Sequence, residues 1–186
     1  MTTATKITFI RILLIPVFLV TMYLAEGNEV MLYISLAIFA IASITDLIDG
    51  EVARRYNQVS DLGKFLDPLA DKVLVVAAMA MFCEWGIFPA WALMIVLARE
   101  FAVSGLRMVA SGKGNVIAAG WSGKIKTATT MVCLCAMLLL NGATFVELLG
   151  QCFVRWVNWI SVAAISVTTL YSGVEYFVKN RSALSK

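Results

Sequence analysis

The sequence predicts an all-α integral membrane protein with six transmembrane helices, forming a single domain over residues 1–186. Three observations lead there. Hydrophobic residues make up 61% of the chain and charged residues only 15%, with a mean hydropathy of +0.87. A soluble domain sits near half apolar, with about a quarter of its residues charged. The excess of apolar side chains therefore has to be accommodated by lipid. A spanning helix needs roughly 20 apolar residues, and six stretches of about that length run at 7–24, 31–54, 66–84, 88–109, 125–141 and 154–178. Finally, these stretches are continuously apolar where a membrane barrel would alternate, and an unpaired backbone in lipid is too costly for any element but a helix.

The first stretch follows Lys6 and contains Arg11, a pattern shared with signal peptides. No small-x-small cleavage site follows cleanly, so it is read as a retained membrane helix. The second ends in a segment dense in acidic and basic residues. The third contains the unbroken run Val73 to Met81, the fourth ends near Arg107, and the fifth contains Met131 to Leu140. The sixth precedes a basic C-terminal segment. No internal repeat and no low-complexity tract is present.

Charge orients this plan. The connections at 25–30, 85–87 and 142–153 contain Glu26, Glu29 and Glu147 but no Lys or Arg. Fourteen of the fifteen basic residues fall on the other side, Arg155 being the exception. The positive-inside rule then puts both termini and the 2–3 and 4–5 connections in the cytoplasm. The net charge of +3 is accordingly a topology signal and not a sign of nucleic-acid binding.

Several chemistries are excluded or unsupported. The chain has no histidine, which removes His bases, His metal ligands and a Ser-His-Asp triad. Cys83, Cys133, Cys135 and Cys152 lack zinc-site spacing and read as small buried hydrophobes. Gly123-Lys124 does not complete a P-loop, because position 118 is Ala118.

All five aspartates lie between positions 46 and 71. On a helix, Asp46, Asp49 and Ala53 share a face at i, i+3 and i+7, with Gly50 adjoining. Asp67 and Asp71 share another at i, i+4, with Gly63 one turn earlier. A short polar connection makes the two helices pack antiparallel, so four carboxylates can converge. Carboxylates that close repel one another unless a cation lies between them. All-oxygen donors favour Mg²⁺, Mn²⁺ or Ca²⁺. Pairing with Arg54, Arg55, Lys64 and Lys72 is the plainer alternative, but acids at membrane depth are expensive and commonly functional. Asp67-Pro68 suits the start of a helix; equally, the helix could begin earlier and kink at Pro68. Asp61 reads as a solvated loop charge.

The pattern Asp46-x₂-Asp49-Gly50-x₂-Ala53-Arg54-x₈-Gly63-x₃-Asp67-x₃-Asp71 resembles the signature of the CDP-alcohol phosphotransferase family, with every position filled. Thr8-Phe-Ile-Arg11, the segment from Arg99-Glu100 to Arg107, and Gly123-Lys124-Ile-Lys126-Thr127 look like the bacterial phosphatidylglycerophosphate synthases within it. The resemblance implies a six-helix family bundle in a bacterial-type cytoplasmic membrane, with its site facing the cytoplasm. It also implies a CDP-diacylglycerol donor, divalent metal (Mg²⁺ or Mn²⁺, two ions), release of CMP and a homodimer. Carried over by position, Asp46, Asp49 and Asp67 would be metal ligands, with Asp71 a ligand to the second ion and the catalytic base. Asp49, Gly50, Ala53, Arg54, Gly63 and Asp67 would form the CDP site.

The closer likeness implies glycerol 3-phosphate as acceptor, and its phosphate needs a cationic site. Arg107, Lys124 and Lys126, on a 4–5 connection made flexible by its glycines, are the candidates, with Arg99 a further one. Anchoring at lipid headgroups is their alternative role. The aspartate pattern does not separate this acceptor from inositol phosphate, serine or phosphatidylglycerol. A divalent-cation transporter would also place carboxylates in the membrane, but it commonly shows repeated halves, and the second half has no matching aspartates.

Overall fold

The structure, a computed structural model, describes the backbone of residues 3–56, 61–112 and 120–180 and the side chains of residues 12–45, 72–110 and 120–180. Its elements are α1 (Thr3–Leu24), α2 (Glu29–Tyr56), α3 (Asp61–Glu84), α4 (Ala90–Gly112), α5 (Trp121–Leu140), α6 (Ala143–Leu149) and α7 (Gln151–Lys179). No strand occurs among the described residues. Six of these helices coincide with the six apolar stretches. The seventh, α6, is a seven-residue helix within the connection at 142–153, too short to carry a hydropathy signal of its own.

Two expectations need correction. The 105–123 region is not a flexible connection throughout: α4 runs to Gly112 and α5 begins at Trp121, so Arg107, Lys124 and Lys126 all stand on helices. In apolar surroundings the backbone must pair within its own segment, which carries a helix past its last strongly apolar residue. Nor are the cysteines buried. Cys83, Cys133 and Cys135 are half-buried and Cys152 is exposed, all four as free thiols. Of the two alternatives at Asp67-Pro68, the longer helix is found: α3 starts at Asp61, so Asp67 is not its N-cap.

The bundle packs α1 on α2 and α3, α2 on α5, and α7 on both α4 and α5. Its core is built from Phe18, Met22, Phe39, Met79, Phe82, Phe88, Leu134, Met137, Leu138 and Ile165. The rings of Phe18 and Phe39 meet at 5.9 Å between centroids. The outer face is equally apolar, with Leu13, Val20, Met94, Phe101, Trp156, Ile160, Tyr171 and Val174 exposed. A protein apolar both inside and out has lipid as its natural solvent. Helices α5 and α7 are long and apolar enough to cross a membrane, and their apolar windows are only 28% and 39% buried, unlike those of a soluble core helix. The described parts of α1 and α2, residues 12–24 and 29–45, are apolar as well.

Polar contacts fix the register where apolar packing is permissive. The side chains of Asn141 and Asn158 exchange hydrogen bonds of 3.0 and 3.1 Å, tying the end of α5 to α7. Gly150 joins α6 to α7 at φ 85°, a backbone conformation that a side chain would strain. At the same end of the bundle, the Glu29 carboxylate accepts from the Thr144 backbone N–H at 2.8 Å, the Thr144 hydroxyl at 2.9 Å and the Tyr33 hydroxyl. It thus serves the free N–H groups at the start of α6 from a different helix. Gly142 is required beside it, because a Cβ there would stand 2.6 Å from the Tyr33 hydroxyl oxygen.

The Tyr33 hydroxyl, followed by the Thr144 backbone N–H, holds the Glu29 carboxyl below its ordinary pKa. A depressed carboxyl stabilises the fold above the unfolded value of about pH 4.3 and loses that contribution as pH falls through the folded value. The thermal midpoint of the solubilised protein should therefore exceed that of Glu29→Gln at pH 7, with the difference disappearing in acid. An equal difference at pH 7 and pH 3 would show that the contact does not act through charge.

Candidate active site

The expected metal and nucleotide residues fall on two neighbouring helices. Asp46, Asp49, Gly50, Ala53 and Arg54 lie on α2, and Gly63, Asp67 and Asp71 lie on α3. Their side chains are outside the described residues. The helical backbone at both segments does meet the premise of the spacing argument, since i, i+3 and i, i+4 positions share a face only on a helix.

Immediately after Asp71, Lys72 opens a cluster of charges that joins four helices. Glu100 of α4 is its centre, with its side chain 15% exposed. One carboxylate oxygen accepts from both Arg99 Nη1 and Lys126 Nζ at 2.8 Å, and the other lies 3.5 Å from Lys72 Nζ. Lys72 also donates to the Ser104 hydroxyl. Arg99 turns its second arm to Ser172 of α7 at 2.7 Å. Helices α3, α4, α5 and α7 thereby meet around one carboxylate.

Burial makes these contacts consequential. Lys126 is only 6% exposed, and Ser172 only 1%. Since Arg99 Nη1 and Lys126 Nζ both sit 2.8 Å from one oxygen, they are at most twice that, about 5.6 Å, apart. Two unit charges at that separation repel by about 3 kcal/mol at an effective dielectric constant of about 20. The Glu100 carboxylate offsets this repulsion. Glycines let Arg99 pass between helices: a Cβ at Gly173 would lie 3.3 Å from Arg99 Cγ, and one at Gly123 would lie 3.6 Å from Nη2. Arg99 Nε, together with Ser166 and Thr169 of α7, is buried without a hydrogen-bond partner among the described residues.

The cluster opens onto a cleft of about 390 Å³, measured out to solvent, lined by Lys72, Val96, Glu100, Lys126, Thr127 and Thr130. Among the described residues that line it, Lys72 and Lys126 are cationic and Glu100 is anionic, an excess of one positive charge that suits an anion.

The structure separates the expected acceptor residues. Lys126 lines the cleft and is too buried to act as a headgroup anchor. Lys124, two residues away on the opposite side of α5, is exposed, with its ammonium 5.4 Å from the Trp121 ring centroid. Arg107 is exposed about one turn beyond Val103 on α4, donates to the Tyr176 hydroxyl at 3.2 Å and lies over that ring at 5.6 Å. Arg99 joins Lys126 at Glu100. Sequence reasoning missed Glu100 and Lys72 as site residues. The available signal was Glu100 itself, an acid at the middle of an apolar helix.

A family model described as CDP-alcohol phosphatidyltransferase matches residues 1–170. The chain is 44% identical over 189 residues to a Bacillus subtilis (strain 168) protein named CDP-diacylglycerol–glycerol-3-phosphate 3-phosphatidyltransferase, covering 96% of this chain and 95% of that one. Proteins of the same name from Salmonella typhimurium and Shigella flexneri are 43% and 40% identical over 187 residues, covering 97% of this chain and 95% of their own length.

The Arg99–Ser172 bond supports a stability prediction. A hydrogen bond to a charged group contributes about 1.5–3 kcal/mol, so Ser172→Ala should lower the thermal midpoint of the solubilised protein. An unchanged midpoint would mean that Arg99 finds an equal acceptor elsewhere.

Proposed function

Because the chain belongs to the CDP-alcohol phosphatidyltransferase family, we propose that it transfers the phosphatidyl group of CDP-diacylglycerol to glycerol 3-phosphate, giving phosphatidylglycerophosphate and CMP. The observation that carries this reading is 44% identity, across 96% of the chain, to a relative whose name states that reaction. The cationic cleft beside Asp71 agrees with a phosphorylated acceptor.

Asp46, Asp49, Asp67 and Asp71 would hold two Mg²⁺ or Mn²⁺ ions, for which an all-carboxylate donor set on adjacent helices is well matched. Such ions, when bound, would supply charge neutralisation on the diphosphate and on departing CMP. Asp49, Gly50, Ala53, Arg54, Gly63 and Asp67 would bind the CDP moiety, the small residues admitting it close to the backbone. Lys126 and Lys72 would hold the acceptor phosphate in the cleft, with Arg107 and Lys124 as exposed cations of the same two-helix region. Asp71 accepts the proton of the acceptor hydroxyl, whose oxygen forms a bond to the phosphatidyl phosphorus. The bond from that phosphorus to the CMP oxygen breaks in line, and CMP leaves with the electron pair.

The chain in this reading is one catalytic domain with six membrane crossings, in a bacterial-type cytoplasmic membrane. Both termini and the site face the cytoplasm, in accordance with the distribution of basic residues. The enzyme acts as a homodimer.

Purified protein in detergent with CDP-diacylglycerol and Mg²⁺ should release CMP with glycerol 3-phosphate, but not with inositol phosphate, serine or phosphatidylglycerol, and EDTA should stop it. Release with another acceptor would keep the chemistry and change the substrate. Absence of EDTA-sensitive release with all four would reject the reading. Asp71→Asn should lower kcat by at least a hundredfold, in the usual range for loss of a general base, while CDP-diacylglycerol remains bound; undiminished turnover would remove Asp71 from that role.

A further inference from the structure

We propose that Glu100 is a positioning residue of the acceptor site, holding Lys72 and Lys126 in place to receive a phosphate monoester. The inference rests on the reading of the cleft as the acceptor-phosphate site. Three features of the cluster lead to it.

The first is connectivity. Lys72 and Lys126 stand on α3 and α5, and Glu100, on a third helix, contacts both at 3.5 and 2.8 Å. Among the described residues, Glu100 provides the only acceptor for the Lys126 ammonium. Without its charge, a buried ammonium faces a guanidinium and a second ammonium and has reason to turn away. The cleft would then lose the groups that an anion must find preformed.

The second is charge. Among the described residues, Lys72, Arg99 and Lys126 carry three positive charges and Glu100 one negative, leaving two in excess. A phosphate monoester carries about 1.5 to 2 negative charges at neutral pH. The described cations of the cluster therefore suit a phosphate monoester. A net-neutral acceptor such as serine, whose carboxylate is offset by its own ammonium, leaves that excess unbalanced.

The third is division of labour within Arg99. One arm meets Glu100 and the other meets Ser172, so both described contacts are spent on the protein. Arg99 braces the carboxylate, and the lysines are left to meet the ligand.

The test compares Glu100→Gln, Glu100→Asp and Lys126→Met by steady-state kinetics in detergent, varying each substrate separately. Glu100→Gln should raise the KM for glycerol 3-phosphate at least tenfold, with the KM for CDP-diacylglycerol within twofold of the parent. Glu100→Asp keeps the charge at shorter reach and should recover most of the loss. Where Glu100→Gln does not fold, a rise in acceptor KM alone for Glu100→Asp carries the test. An elevated acceptor KM for Lys126→Met with none for Glu100→Gln would overturn the positioning role and leave the acceptor site standing. Equal rises in both KM values for Glu100→Gln would make Glu100 a packing residue and overturn it as well. If neither Lys126→Met nor Glu100→Gln moves the acceptor KM, the reading of the cleft fails and takes the proposal with it.

Discussion

A carboxylate placed among three cations, deep between apolar helices, sets the terms for one end of this bundle. Glu100 draws Arg99, Lys72 and Lys126 onto two oxygens, and Arg99 extends the contact to Ser172. Packing of Leu, Val and Met against lipid-facing helices is permissive about register, since tails and side chains are equally apolar. Charges are not permissive. An unpaired ion at such a depth is costly enough that the helices carrying these residues have few alternative arrangements. The position of α3 relative to α4 and α5, and hence of Asp71 beside the cleft, follows from this pairing.

The opposite end uses different chemistry for the same purpose. There the partly buried Asn141–Asn158 pair and the exposed Glu29–Thr144 contact join helices through hydrogen bonds. The first is between neutral groups and water competes for the second, so each is weaker than the contacts around Glu100. The stronger polar network thus lies at the end that carries the signature aspartates.

Much of this was legible before the structure. Continuous apolar runs announced six helices, because backbone in lipid has to pair with itself. The spacing of Asp46, Asp49, Asp67 and Asp71 called for helices at both segments, and α2 and α3 run through them. Helix α6 was not legible, since seven residues between two long apolar runs leave no periodic trace. Glu100 stands in the Arg99 to Arg107 segment, where the sequence alone assigns it no role. Helical periodicity tells which residues share a face, but not which face of another helix it meets. The same limit explains why Lys124 and Lys126 looked equivalent: two residues apart on α5, they point to opposite sides, one exposed and one enclosed.

Two of the polar attachments of α7, at Asn158 and Ser172, have a mechanical meaning. Asn158 and Ser172 are fourteen residues apart, about 21 Å along the axis at 1.5 Å per residue. Between them, Ser166 and Thr169 are buried yet bonded to nothing among the described residues. A rod held at two separated points is fixed in height and in azimuth. Because the second point is Arg99, and Arg99 is also gripped by Glu100, the last helix is tied to the same cluster that lines the cleft.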